Sequence, residues 1–156
     1  MTAVTEQQNK RQTSRQNWMS VLAKSQHAEL MACWESVSLT PEYTMVRQPE
    51  IGLAQVRARM GSTGRQFNVG DTTITRAVIK LNSGELGYSY LQGRNKQHAE
   101  IAAVIDALMQ TSTHQQALQE QVIDPLAALK QEQESERAKE VASSKVDFFT
   151  LVRGED

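Results

Sequence analysis

Along residues 14–37 the apolar positions recur as Trp18, Val21, Leu22, Leu30, Cys33, Trp34 and Val37. Spacings of three, four and seven put them on one face of a helix. Thr13 or Ser14 can cap its start, and Trp34 reads as core. Polar Gln26 interrupts the face, so the helix either crosses its neighbour or leaves its middle uncovered. Residues 1–13 are polar and read as a frayed start. Leu39-Thr40-Pro41-Glu42 then breaks the helix. The period changes to two. Residues 43–48 read as a short strand that Pro49 ends or pushes to a sheet edge. From Ile51 to Met60, Gly52, Ala54, Val56, Ala58 and Met60 share one face, and Ile51, Leu53, Gln55, Arg57 and Arg59 share the other. The first face is built of small residues and can admit a helix close to the sheet. The second sets Arg57 and Arg59 about 7 Å apart by strand geometry, a pair that calls for a shared anion, an acid or water.

Residues 57–76 predict a strand, a glycine-punctuated loop and a second strand, with four arginines and the single acid Asp71. Gly, Ser, Thr and Arg in one loop can hold an anion, because glycine lets backbone N–H groups approach and guanidinium pairs with phosphate oxygens. The plainer alternative is a long hairpin loop whose arginines face water; no phosphate-loop pattern is met. A β-branched run over residues 72–81 leads to Asn82-Ser83-Gly84-Glu85, a turn signal, and residues 86–91 pair back as a hairpin. There Tyr88 and Tyr90 share one face, Gly87 and Ser89 the other.

His98, Ile101, Ala102, Ile105, Leu108 and Met109 form the stripe of the next helix, with Asn95 as its N-cap. Free N–H groups at that helix start lie beside Arg94, Lys96 and His98, a local recipe for a phosphate or phosphonate. Against it stands the reading of loop charges in water and a satisfied wall histidine. Residues 113–123 are a short helical stretch, and Asp124-Pro125 restarts a helix with a cap and a first-turn proline. Residues 126–144 favour helix but are thinly apolar, as in a solvated or bridging helix. Its end is different: Val146-Asp147-Phe148-Phe149-Thr150-Leu151-Val152-Arg153 reads as an apolar strand able to add to a sheet edge, this chain's or a partner's.

The whole is therefore an α+β fold: a small antiparallel sheet packed with helices, a long C-terminal helical arm and an apolar tail strand. The expected divisions are a flexible start (1–13), a core domain (14–111), a helical arm (112–145) and a partner-docking tail (146–156). A chain of 156 residues is long enough to bury a core without staples. Its one cysteine, Cys33, cannot form an internal disulfide and suits a reducing, cytoplasmic setting. No apolar run reaches membrane-spanning length. The net charge of −1 hides a polarity: residues 51–98 hold seven bases against two acids, whereas residues 99–156 hold five bases against eleven acids. A basic middle beside an acidic end suggests an anionic ligand or partner, or mutual neutralisation. No paired carboxylates, no Ser–His–Asp set and no metal-ligand spacing stand out.

Several stretches together resemble a known family: Pro49-Glu50-Ile51-Gly52-Leu53, the 57–76 segment with Thr63-Gly64 and Phe67-Asn68-Val69-Gly70, Gly87-Tyr88, and Gly93-Arg94-Asn95-Lys96-Gln97-His98-Ala99-Glu100. They are similar to the G subunits of the bacterial carbon–phosphorus lyase pathway for phosphonate use, from about residue 15 to 110 and again at 148–155. The resemblance implies a two-fold hetero-oligomer with H, I and J subunits. It also implies support for α-D-ribose 1-methylphosphonate 5-triphosphate synthesis, in which an alkylphosphonate displaces adenine from ATP. The nucleosidase-type chemistry of that transferase complex is attributed to the I subunit, so no catalytic residue, metal or cofactor is carried over to this one.

The candidates are thus Arg59, Arg65, Arg76, Arg94, Lys96 and His98 for an anion, and Phe148, Phe149, Leu151 and Val152 for a partner. The competing class is a nucleic-acid-binding or other anion-binding module using the basic sheet and loop. An acidic second half and few aromatics on the basic strands argue against nucleic acid.

Overall fold

The computed structural model describes residues 2–61 and 63–144, with side chains from residue 12 onward. Two helices divide the stripe expected in one: α1 (Thr2–Lys24) and α2 (His27–Val37). The break falls at Gln26, whose extended backbone makes it the N-cap of α2, and Glu29 completes a capping box with it. The residue that interrupts one apolar face is thus the one that starts a second helix. The polar segment expected to fray is helical from Thr2. It carries no Gly or Pro, and Glu6, Gln7, Gln8, Lys10, Arg11 and Gln12 are all good helix formers.

The sheet has the order β1–β2–β3, all antiparallel: β1 (Tyr43–Arg59), β2 (Gln66–Leu81) and β3 (Leu86–Gln92). β1 is continuous where two strands were expected. The pairing register shifts between Arg47 and Glu50, so Pro49 sits in an irregularity of an edge strand, where its missing N–H costs no ladder bond. The β2–β3 turn has Gly84 at φ 112°, and Tyr88 and Tyr90 face outward as the alternation requires.

One sheet face is covered. Ala77, Ile79 and Leu81 of β2 and Ser89 and Leu91 of β3 are buried beneath α3 (Lys96–Leu108). Gly87 sets the approach, for a Cβ there would stand 1.9 Å from the Ala103 carbonyl oxygen. The small-residue face of β1, expected to admit a helix, has none against it among the described residues: open space surrounds Gly52, and Val56 and Met60 are exposed. Close packing is needed where the helix lies, over β3.

α3 is buried on nearly all sides, because a second helical layer covers it. Trp18 and Leu22 of α1, Leu30 of α2, and Leu118, Val122, Ile123 and Leu126 share its core. The last four come from α4 (Gln115–Leu118), a π-helical turn over Gln119–Ile123, and α5 (Asp124–Ser143). α5 starts at Asp124 with Pro125 in its first turn, as expected, but Asp124 does not cap it, for the preceding Ile123 is itself helical. The Asp124 N–H bonds the Gln119 carbonyl five residues back, and this wider turn carries the helix into Pro125. Only Leu126 of α5 is buried, so the helix beyond it is a solvated arm. The apolar tail strand expected at residues 146–153 lies outside the described residues.

Asp106 lies inside this layer, fully buried, in the middle of an apolar run. Arg15 donates to both carboxylate oxygens (Nε 3.1 Å, Nη2 2.6 Å), Trp18 Nε1 donates at 2.9 Å, and the Tyr88 backbone N–H at 2.9 Å. One side chain of α3 thereby fixes α1 and the edge of β3. Such a charge is tolerable only with all its partners in place. Asp106→Ala should cost about 3–5 kcal/mol, since it strands a guanidinium, an indole N–H and a backbone N–H together; denaturant unfolding reads this directly, and a loss under about 1 kcal/mol would show the network to be dispensable. Gly87→Ala should be similarly harmful by steric conflict, with little change for Gly52→Ala as the paired control.

Candidate functional site

The strands continue past the helices. β3 pairs with β2 only from Ile74 to Lys80, while β1 and β2 go on pairing from Leu53↔Thr73 to Arg59↔Gln66. Beyond the body the sheet is therefore a two-stranded ribbon, spanning residues 53–59 and 66–73. A register shift after Val56 adds a residue at Val69 and twists it. Among the described residues, seven of the twelve exposed large apolar side chains lie on β1, this ribbon or its loop: Val46, Ile51, Leu53, Val56, Met60, Phe67 and Val69. Leu53 is 68% exposed and Met60 75%, on a ribbon too thin to bury either.

The candidate cations fall into three places. Arg59 and Arg65 stand at the ribbon tip with Arg57, whose Nε donates to Asn68 Oδ1 at 3.3 Å. None of the three makes an ion pair among the described residues. Arg76 lies in the body and is held: its Nε meets Glu50 Oε1 at 2.6 Å, and Arg47 shares that oxygen at 3.1 Å. Arg94 and Lys96 are exposed at the start of α3, next to Gly93, whose N–H bonds the Thr73 carbonyl. From Thr73 to Gln66 is about 23 Å of strand, so no single phosphate group reaches both the tip and the helix start.

The helix start is well built. Gly93 has φ 102°, a conformation that suits glycine, and Thr75 Oγ1 donates to its carbonyl at 2.8 Å. Asn95 caps α3 by accepting from the His98 N–H at 2.9 Å. That bond occupies one of the donors an anion would use. His98 itself faces inward. Its Nε2 lies 2.9 Å from the Leu22 carbonyl oxygen, and its ring stacks on His27 at 5.8 Å. Burial pushes its pKa below the ordinary imidazole value, against the opposing pull of the Leu22 carbonyl and with help from His27. The ring takes the wall position, and only Arg94 and Lys96 of this group reach solvent.

Two open clefts flank the body. One, about 660 Å³, lies between Glu42, the Asn82–Glu85 turn and His114; the other, about 620 Å³, lies beside Arg15, Trp18 and Gln115. None of the candidate cations lines either. On the outer sheet face Tyr88 and Tyr90 are exposed, but Arg76 nearby is already bound to Glu50. No group of three metal-ligating side chains gathers among the described residues, and no described helix is long and apolar enough to cross a membrane. The tail candidates Phe148, Phe149, Leu151 and Val152 lie outside the described residues.

The residues missed from sequence are Asp106, Arg15 and Glu50. A lone acid inside Ile101–Met109 was the available signal for the first: a charge in an apolar run must have a partner. Nothing local marks Arg15, because its partner lies 91 positions away. Tyr43 also ties β1 to α3: its hydroxyl donates to Glu100 Oε1 at 2.7 Å, and burial together with that carboxylate pushes its pKa up to about 12.

Comparison with known proteins agrees with the resemblance. Residues 13–154 match the family described as phosphonate metabolism protein PhnG. The chain is 41% identical over 145 residues to the α-D-ribose 1-methylphosphonate 5-triphosphate synthase subunit PhnG of Rhizobium meliloti (strain 1021), covering 91% of this chain and 90% of that one.

The His98 environment predicts a pH effect. The folded state holds the imidazole neutral, so the unfolded state binds a proton more readily. Stability is full above the ordinary imidazole pKa and falls as pH drops from about 6.5. Urea midpoints measured from pH 7.5 to 5.5 should decline, and His98→Asn should flatten the decline. An identical slope in the variant would contradict the assignment.

Proposed function

The chain belongs to the PhnG family of phosphonate metabolism proteins, and we propose that it works as a subunit of an α-D-ribose 1-methylphosphonate 5-triphosphate synthase. In that reaction an alkylphosphonate oxygen attacks the ribose C1′ of ATP. The new C1′–O bond replaces the C1′–N9 bond, and adenine leaves with the glycosidic electron pair and takes up a proton. Such chemistry needs an acid for the departing purine and electrostatic support for a ribosyl cation. It also needs positive charge around a triphosphate and a phosphonate.

This subunit is suited to the last requirement and to assembly. The observation that carries the reading is the ribbon, an apolar surface studded with Arg57, Arg59 and Arg65 and left uncovered by every described helix. A surface of that kind is completed by another chain. The bond-breaking residues belong, in this reading, to a partner, and the partners are the H, I and J subunits in a two-fold cytoplasmic assembly. ATP and the alkylphosphonate are substrates of the complex, and this subunit holds no cofactor of its own. Arg94 and Lys96 at the α3 start are the best-placed cations for a shared anion, because free N–H groups of the first turn lie beside them.

Two results are expected. The synthase subunits should co-purify with this chain, and omitting it should abolish turnover. The Arg94→Ala, Lys96→Ala double variant should assemble normally and lose about tenfold or more in turnover, the scale of lost charge-assisted contacts to a phosphoryl group. Normal assembly with unchanged turnover would remove these two residues from the active site.

A further inference from the structure

The two edges of the sheet are treated differently. At the Leu86–Tyr88 end of β3 two outward backbone groups are taken by side chains: Asp106 accepts from the Tyr88 N–H, and Arg15 and Gln110 both donate to the Leu86 carbonyl oxygen at 3.2 and 2.8 Å. That end of the edge is closed against a further strand. β1 is the opposite edge. Among the described residues no hydrogen bond reaches its outward backbone groups from Thr44 to Arg59. The strand is 17 residues long, and its ribbon portion projects clear of the helices. Its neighbours in space are exposed Leu53, Val56, Phe67 and Val69 together with the unpaired Arg57, Arg59 and Arg65.

We propose that the ribbon half of β1, residues 53–59, receives an extended segment of another subunit, which adds as a fourth strand and carries apolar side chains interspersed with carboxylates. Backbone pairing supplies the attachment, the exposed apolar residues supply burial, and the three arginines select acidic side chains. A second copy of this chain is the poorer occupant. Pairing β1 with β1 would oppose one cationic edge to another, and like charges across strands repel. The described acids of the second half, such as Glu132, Glu134, Glu136 and Glu140, lie on helix α5 and not on a strand.

The inference rests on the reading of this chain as a synthase subunit and is tested with the full chain and the remaining subunits purified as a complex. Affinity is measured for the wild type, for Leu53→Asp, for the Arg57→Glu, Arg59→Glu pair, and for Val141→Ser on the exposed arm. Thermal melts of each free variant check the fold. The two ribbon variants should bind at least about tenfold more weakly with unaltered melting, and Val141→Ser should bind as the wild type does. Wild-type affinity in both ribbon variants would overturn the ribbon proposal and leave the subunit reading standing. Failure of the wild type itself to bind would overturn both. A free chain that forms dimers, lost on Leu53→Asp, would make a second copy the occupant and overturn the choice made here.

Discussion

A buried carboxylate organises this fold. Asp106 sits at the heart of α3 with a guanidinium, an indole N–H and a backbone N–H converging on its two oxygens. The donors come from two distant parts of the chain, Arg15 and Trp18 on α1 and Tyr88 on β3, so satisfying one charge fixes the positions of α1, α3 and β3 together. Hydrophobic burial alone would hold these elements together without specifying how they meet. The charge supplies register, because any misplacement leaves an ion without partners in the interior.

That network also decides which edge of the sheet is available. Arg15 reaches past Asp106 to the Leu86 carbonyl, and Asp106 takes the Tyr88 N–H, so the Leu86–Tyr88 end of β3 is closed by the same contacts that fix the helices. β1 has no such cover. The helical layer ends over the middle of β2, and the strands run on into a ribbon whose apolar side chains have no interior to enter. A rigid body and an unfinished arm follow from one arrangement. The body is self-sufficient, with Leu22, Leu30, Ile79, Ile105 and Leu118 fully enclosed. The arm carries both the apolar area and the cations.

Much of this was legible in the sequence because it is local. The alternation of residues 51–60, the Asn82–Glu85 turn and the Asn95 cap each depend on a few adjacent residues, and each appears in the fold. What was not legible depends on distance along the chain. Gln26 reads as a flaw in a helix face until Glu29 shows it to be a cap. The small side chains of β1 invite a helix, yet α3 lies on β3, where Gly87 allows the tighter approach. The six anion candidates are close in sequence but not in space. Strand geometry carries Arg59 and Arg65 away from Arg94 and Lys96, Glu50 engages Arg76, and Leu22 holds His98. Charge content is written in composition, but which charges share a space is settled by tertiary contacts.

Amide hydrogen exchange, compared between the free chain and the assembled synthase, tests this picture most directly. In the free chain the amides of Ile79, Ile105 and their neighbours should exchange slowly, and those of residues 53–59 and 66–73 rapidly. On assembly the ribbon should become protected while the body scarcely changes. A ribbon already as protected as the body in the free chain, or one that exchanges equally fast after assembly, would contradict the account.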